Sequence, residues 1–205
     1  MVNIWITCML TLYSRNDNTR YFGRHYERSN VCKSLSFNWL GMVVKVSWNN
    51  LSDRWKDYFI NILHTTARMS KDENTKVGSL IIDTDRKVVV SSSWNDLPRG
   101  VLHTQERNSR PLKYLYTLHA EQGCLINALR LNVNVNGMTM LTTLGCCPSC
   151  SCSVVNSGLS EVVTPELDYN HVSCGDVYEH SVNIMKEGGV KWLFDNKLKL
   201  PINFN

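Results

Sequence analysis

Residues 119–158 read HAEQGCLINALRLNVNVNGMTMLTTLGCCPSCSCSVVNSG, and this stretch decides the fold. Ala120 to Arg130 fits a helix. Asn136-Gly137 is a turn, because both residues tolerate the backbone angles a tight reversal needs. Met138–Leu144 reads as a strand. Pro148 to Asn156 fits a second helix, since the fixed φ of proline suits a first turn and Gly158 can end it. Helix, strand and helix in succession set a pattern that the flanking sequence continues.

Upstream, Ser52 can cap a helix whose apolar stripe is Trp55, Phe59, Ile62 and Leu63, all on one helical face. Lys71-Asp72-Glu73-Asn74 breaks that pattern as a polar loop. Val77–Ile82 and Val88–Ser92 read as strands joined at Asp83-Thr84-Asp85-Arg86. Residues 95–117 contain Pro98, Gly100 and Pro111 and read as a long loop. In compact domains loops of this length are functional or disordered. Downstream, Glu161-Val162-Val163-Thr164 is a short strand. Asp176 to Glu187 fits a helix closed by Gly188-Gly189, and Val190–Phe194 is a last strand. The order α-β-β-α-β-α-β-α-β implies an α/β fold, a three-layer α/β/α sandwich around a central mixed sheet.

The chain has 205 residues, 43% of them hydrophobic and 20% charged, which excludes a wholly disordered chain. No stretch reaches the ~18 apolar residues of a membrane helix. The net charge of +4 is uneven: residues 1–41 carry +3 and the remainder +1. A nucleic-acid binder carries its basic excess on the folded domain, so no stable nucleic-acid partner is expected. Residues 1–41 show little period and read as an N-terminal extension, or as sequence upstream of a true start at Met42. Residues 42–205 read as the domain. Ile4 to Leu12 is apolar but lacks the flanks of a signal peptide. Four of the eight cysteines fall within residues 146–152, too close for a disulfide framework. Clustered cysteines of this kind point to metal binding in a reducing, cytoplasmic compartment.

The chemistry lies in His119-Ala120-Glu121 and Cys147-Pro148-Ser149-Cys150. One histidine and two cysteines are zinc ligands, and three protein ligands leave one position open, as in catalytic sites. His119 would stand at one helix start, with Cys147 and Cys150 around the first turn of another. Free N–H groups there stabilise thiolates. Glu121 would reach the open side without ligating and carry protons, while zinc lowers the pKa of a held water to about 7. The bland alternative is a closed zinc knuckle with Cys146 or Cys152 as fourth ligand. Cys152 is expected instead as a small core residue of its helix.

His-x-Glu followed by Cys-x-x-Cys is the signature of zinc nucleobase deaminases. With it stand Ser70-Lys71-Asp72, Thr75-Lys76-Val77-Gly78, Asn95 with Pro98-Arg99-Gly100, Arg110-Pro111-Leu112-Lys113-Tyr114 and Asn156-Ser157-Gly158. Together, residues 55–192 resemble the deoxycytidylate (dCMP) deaminase family of the cytidine deaminase-like superfamily. The resemblance implies hydrolysis of dCMP to dUMP and ammonia, with dUMP supplied to thymidylate synthesis. It implies zinc on His119, Cys147 and Cys150, and Glu121 as the catalytic proton carrier. It implies nucleotide contacts from Asn95 and the Ala120 backbone, a homo-oligomer, and dCTP and dTTP as effectors. Arg99, Arg107, Arg110 and Lys113 are candidates for the 5′-phosphate. Tyr169, Asn170 and His171 are candidates to line the site, while His64 and His180 read as structural or exposed. The chain departs from the family at Asp96, at Gly123 where asparagine is usual, at Cys146 where proline is usual, and around Cys174. Asp96 falls in the loop that the family links with effectors. Two other readings remain: a tRNA or single-stranded nucleic-acid deaminase, and a non-catalytic zinc-stabilised protein with Cys146 in the open position.

Overall fold

A computed structural model describes residues 45–170 and 175–201. The expectations for residues 1–41, Met42, His171 and Cys174 lie outside the described residues. Helix α1 spans Asp53–Ala67, β1 Gly78–Asp83 and β2 Val88–Trp94. Two single-turn helices, α2 (Gln105–Asn108) and α3 (Lys113–Tyr116), break up the expected loop. Then come α4 (Ala120–Arg130), β3 (Thr139–Thr142), α5 (Pro148–Asn156), β4 (Glu161–Thr164), α6 (Tyr178–Glu187) and β5 (Lys191–Phe194). The order matches the sequence reading except for α2 and α3. Those are too short to show an apolar period.

The sheet order is β2-β1-β3-β4-β5. β1 is antiparallel to both β2 and β3, and β3, β4 and β5 run parallel. The sheet is therefore mixed. Side chains alternate across it because successive Cβ atoms point to opposite faces. Leu80, Ile82, Leu141 and Val163 face α1 and meet Phe59, Ile60 and Leu63. Ile81, Met140 and Val162 face the other way, toward Ala128 of α4, Val154 of α5 and Met185 of α6. One helix on one face and three on the other make the α/β/α sandwich. The buried stripe of α1 is Phe59, Ile60, Leu63 and Ala67, while Trp55 and Ile62 are only partly covered. α1 is rotated slightly from the expected face because its last turn packs against the start of β1. There a Cβ on Gly78 would meet Ala67 N at 2.7 Å.

Register places the site. Gly78 pairs with Trp94 and Ser79 with Thr142. The start of β1, the end of β2 and the end of β3 thus meet at one edge of the layer. Asn95 N–H donates to the Val77 carbonyl (3.0 Å), and Thr143 N–H to that of Gly78 (3.1 Å). Loops at the carboxyl ends of parallel strands are the usual ligand crevice of open α/β sheets. Among the described residues no helix is long and apolar enough to cross a membrane.

Candidate active site

His119 and Cys147 each occupy the N-cap of a helix, α4 and α5, with extended backbone (ψ 148° and 166°). An N-cap residue stands beside N–H groups that have no intrahelical acceptor. Pro148 takes the first helical position of α5, where its missing N–H costs nothing. Cys150 follows in the same turn. The two helix starts converge: Cys147 Sγ and Cys150 Sγ are each 3.4 Å from His119 Nδ1. All three donor atoms lie within 4.8 Å of one another. An ion held tetrahedrally at about 2.1 Å from nitrogen and about 2.3 Å from sulfur would set N···S near 3.6 Å. The donors fit such an ion, and an imidazole with two thiolates suits zinc.

The charges are already arranged. The Cys147 thiol is lowered to about 4, because the Cys150 thiol donates to it and outweighs burial, with help from His119. Cys150 moves the opposite way, raised by donating to Cys147 and by burial. His119 is raised by its hydrogen bond to Cys147, which overcomes burial. Glu121 is buried, and burial pushes its carboxyl up although its own N–H and the charge on His119 favour the ionised form. Its Oε2 is 3.6 Å from Cys150 Sγ. A carboxyl raised in this way holds a proton more readily than an exposed one and stands where it can exchange it with a group at the donor cluster.

A cavity of about 160 Å³ opens over this cluster. His119, Ala120, Glu121 and Cys147 line it together with Asn95 and Lys113. Ala120 sits at the first position of α4, where its N–H has no intrahelical acceptor. Asn95 is buried and pinned: it accepts from Val77 N–H (2.8 Å) and donates to the Thr75 carbonyl (2.8 Å). Its side chain therefore stitches β1 to β2 and still faces the cavity. Gly145 also lines the cavity and lets Leu167 and Tyr178 pack close, since a Cβ there would meet Leu167 Cδ2 at 2.5 Å and Tyr178 Cε1 at 2.6 Å.

The structure separates the basic candidates. Lys113 lines the cavity and is buried. Arg99 is exposed and donates to Asn127 Oδ1 (3.0 Å) outside it. Arg107 bonds the Leu102 carbonyl (3.0 Å) and lies over Tyr116. Arg110 lies over the Tyr114 ring, 5.8 Å from its centre. Tyr169 is exposed against Tyr178, and neither it nor Asn170 lines the cavity. His64 bonds the Leu198 carbonyl and His180 is exposed. Lys76 holds the Ser70 carbonyl (2.7 Å), a structural contact within the loop.

Cys146 is fully buried in the core beneath α4–α6 and lies outside the three-donor group. Cys152 corrects the expectation of a core residue: it is exposed. On α5 the buried positions are 150, 151 and 154, and the helical turn carries 152 to the solvent side. Asp96 accepts from Trp94 Nε1 (3.2 Å) and Leu97 N–H (2.8 Å) and faces His103 (3.4 Å). It braces the strand end whose next residues lead to Leu118. The sequence reading missed Asp72 as a cavity residue. Its signal was local: an aspartate two and three residues before backbone N–H groups that its carboxylate can accept from in a polar loop.

Residues 53–166 match the family model for the cytidine and deoxycytidylate deaminase zinc-binding region. An "uncharacterized deaminase in luxG 3′ region" of Aliivibrio fischeri is 31% identical, over 68% of this chain and 94% of that protein. Human deoxycytidylate deaminase is 30% identical over 53% of this chain, which spans 63% of the human protein's length. Among solved structures, dCMP deaminase of cyanophage S-TIM5 in complex with dCMP and dUMP is similar. It has a TM-score of 0.57 at 19% identity, over 71% of this chain and 99% of that one. A Thermotoga maritima diaminohydroxyphosphoribosylaminopyrimidine deaminase/reductase shares the fold with a TM-score of 0.52 at 17% identity.

Proposed function

The chain belongs to the cytidine and deoxycytidylate deaminase family and is a deaminase, a hydrolase of carbon–nitrogen bonds; on that premise we propose that it converts dCMP to dUMP and ammonia with zinc held by His119, Cys147 and Cys150. The observation that carries the reading is the buried Glu121 carboxyl beside the three-donor cluster, at the wall of a cavity that Asn95 also lines. Zinc, when bound, supplies a water activated for attack at neutral pH. Glu121 takes a proton from the attacking water and gives it to ring N3; it then takes the remaining proton of the new C4 hydroxyl and gives it to the amine, which leaves as ammonia while C4 becomes a carbonyl. Its raised carboxyl suits both directions. The Ala120 N–H serves the base carbonyl, and Asn95 contacts the bound nucleotide.

The dUMP formed would feed thymidylate synthesis in the cytoplasm. Assembly into a homo-oligomer belongs to the same reading and is supported by exposed Ile126, Leu129 and Leu131 on and beside α4. Regulation by dCTP and dTTP would act through the braced loop at Asp96.

The test offers dCMP, CMP, deoxycytidine and a cytosine-containing oligonucleotide to zinc-replete protein, reading ammonia release and loss of cytosine absorbance. Turnover of dCMP, reduced at least about 10²–10⁴-fold in Glu121→Ala, is the expected result. Activity on the oligonucleotide alone would move the protein to the nucleic-acid deaminases. Zinc binding without turnover of any substrate would leave a non-catalytic zinc protein.

A further inference from the structure

We propose that the rim of the cavity, Tyr114 with Arg110 on the loop of residues 97–117, holds the nucleotide next to the cytosine in a single-stranded nucleic acid, so that the protein binds an oligonucleotide through two neighbouring nucleotides; this rests on the deaminase reading of the cavity. The loop stands on a firm neck. Asp96 N–H donates to the Leu118 carbonyl (3.3 Å), and Leu118 N–H donates to that of Asp96 (2.8 Å). Surface loops whose ends meet in this way are packed by their own side chains and are frequently functional. Leu118 adjoins His119, so the neck is anchored beside the donor cluster.

The loop also carries positive charge that nothing neutralises. Residues 97–117 hold four basic side chains, Arg99, Arg107, Arg110 and Lys113, against the single acidic Glu106, while residues 42–205 total only +1. Lys113 is turned inward onto Asp72 (2.7 Å). Among the described residues no carboxylate pairs with any of the three arginines. Arg107 is held by the Leu102 carbonyl (3.0 Å) and by the Tyr116 ring, 4.9 Å from its centre. Arg110 is held by the Tyr114 ring at 5.8 Å. Carbonyls and ring faces position a guanidinium and leave its charge in place. The near-neutral total that argues against a nucleic-acid partner therefore hides a local cationic patch, and the local field is what an anionic partner meets.

Tyr114 fixes where that partner sits. Its ring lines the cavity and is still 55% exposed. A base inside the cavity leaves the outer part of this ring to a second base. Every base has a π-face, so stacking there tolerates any neighbour. The exposed Arg110 beside the ring offers the paired N–H donors that suit a backbone phosphate. A mononucleotide has no second base to place on the ring. A duplex holds its bases stacked and paired, whereas a single strand can give one base to a cavity at small cost.

The experiment measures binding, so that it stands apart from turnover. Zinc-loaded full-length protein carrying Glu121→Ala is titrated, by fluorescence anisotropy over a range of salt, with a short labelled oligothymidylate containing one cytosine. Adding Tyr114→Ala should weaken binding by about 5–100-fold, and Tyr114→Phe should keep it, which separates loss of the ring from loss of the fold. Arg110→Ala should flatten the slope of log K against log salt by about 0.7 and leave calorimetric dCMP affinity unchanged. Lys186→Ala, an exposed cation on α6, should change neither affinity nor slope. Saturating dCMP should displace the oligonucleotide, because both place cytosine in the cavity. An equal loss of dCMP and oligonucleotide affinity in Arg110→Ala would assign that arginine to the mononucleotide and overturn the proposal. An oligonucleotide that dCMP does not displace, or no oligonucleotide binding where dCMP binds, overturns it and leaves the deaminase reading standing. Binding of neither ligand overturns both. Displaceable oligonucleotide binding by a chain that, with Glu121 intact, does not turn over dCMP sustains the rim and fails the dCMP reading.

Discussion

At position 123 two effects oppose each other. Glycine inside α4 costs about 0.8–1.0 kcal/mol relative to alanine by helix propensity. Yet a Cβ there would collide with Ser93 Oγ and lie 3.1 Å from Ser93 Cβ. Overpacking of this kind costs about 1–3 kcal/mol. Ser93 Oγ can rotate away, but its Cβ is held by β2 and must give way by a few tenths of an ångström, so Gly123→Ala should lower stability in urea denaturation even though it improves the helix. Ser93→Gly should relieve part of the loss, read as a double-mutant cycle because glycine within β2 carries a cost of its own. The glycine that departs from the family's asparagine is thus matched by the serine packed on it. Cys146, the other departure next to the site, is taken up by the core.

At the scale of elements, two turns are built alike. In the β1–β2 turn, Asp83 Oδ1 accepts from Asp85 and Arg86 N–H (both 3.0 Å), and Oδ2 takes the Arg86 guanidinium (2.7 Å). In the loop before β1, Asp72 collects Asn74 and Thr75 N–H and the Lys113 ammonium. Burial works to raise both carboxyls, but these donors outweigh it and hold both below the ordinary 3.8. A depressed carboxyl contributes stability above its unfolded pKa and loses it as pH falls through the folded one. Melting temperature should therefore hold down to about pH 4 and fall below it. Asp83→Asn should lower the plateau and flatten that acid limb in melts between about pH 2.5 and 6. An acid limb as steep as the parent's would place the acid sensitivity elsewhere.

For the whole molecule, the three-donor cluster joins α4 to α5 across the carboxyl end of β3. An ion there binds the folded chain and not the unfolded one, so it stabilises by mass action. Chelation should lower the melting temperature of full-length protein, and added zinc should restore it. Glu121→Ala should keep the full zinc-dependent shift while losing turnover, since its carboxylate is not a ligand. Loss of the shift in that variant would make Glu121 a metal ligand instead.

Much of this architecture is local and was legible from the residues alone. Phe59 and Leu63 on the buried face of α1, Pro148 at the start of α5, Gly158 at its end and the Asp83–Arg86 turn each follow from spacing and backbone preference within a few residues, whereas packing put Ile60 and Ala67 on that face in place of Trp55 and Ile62. The donor motif was legible for the same reason: His119 and Glu121 share one helix start, as Cys147 and Cys150 share another. What packing alone decided involves residues far apart in the chain. The Lys113–Asp72 pair spans 41 positions, and the Asn95 amide holding Val77 N–H spans 18. Which of four basic side chains turns into the cavity, which cysteine is buried and which exposed, and why glycine is required at 123 all depend on what the sheet register brings opposite. A local pattern can state the chemistry a side chain offers. It carries no information about the neighbour that will satisfy it, because that neighbour is chosen by burial and strand register across the whole fold.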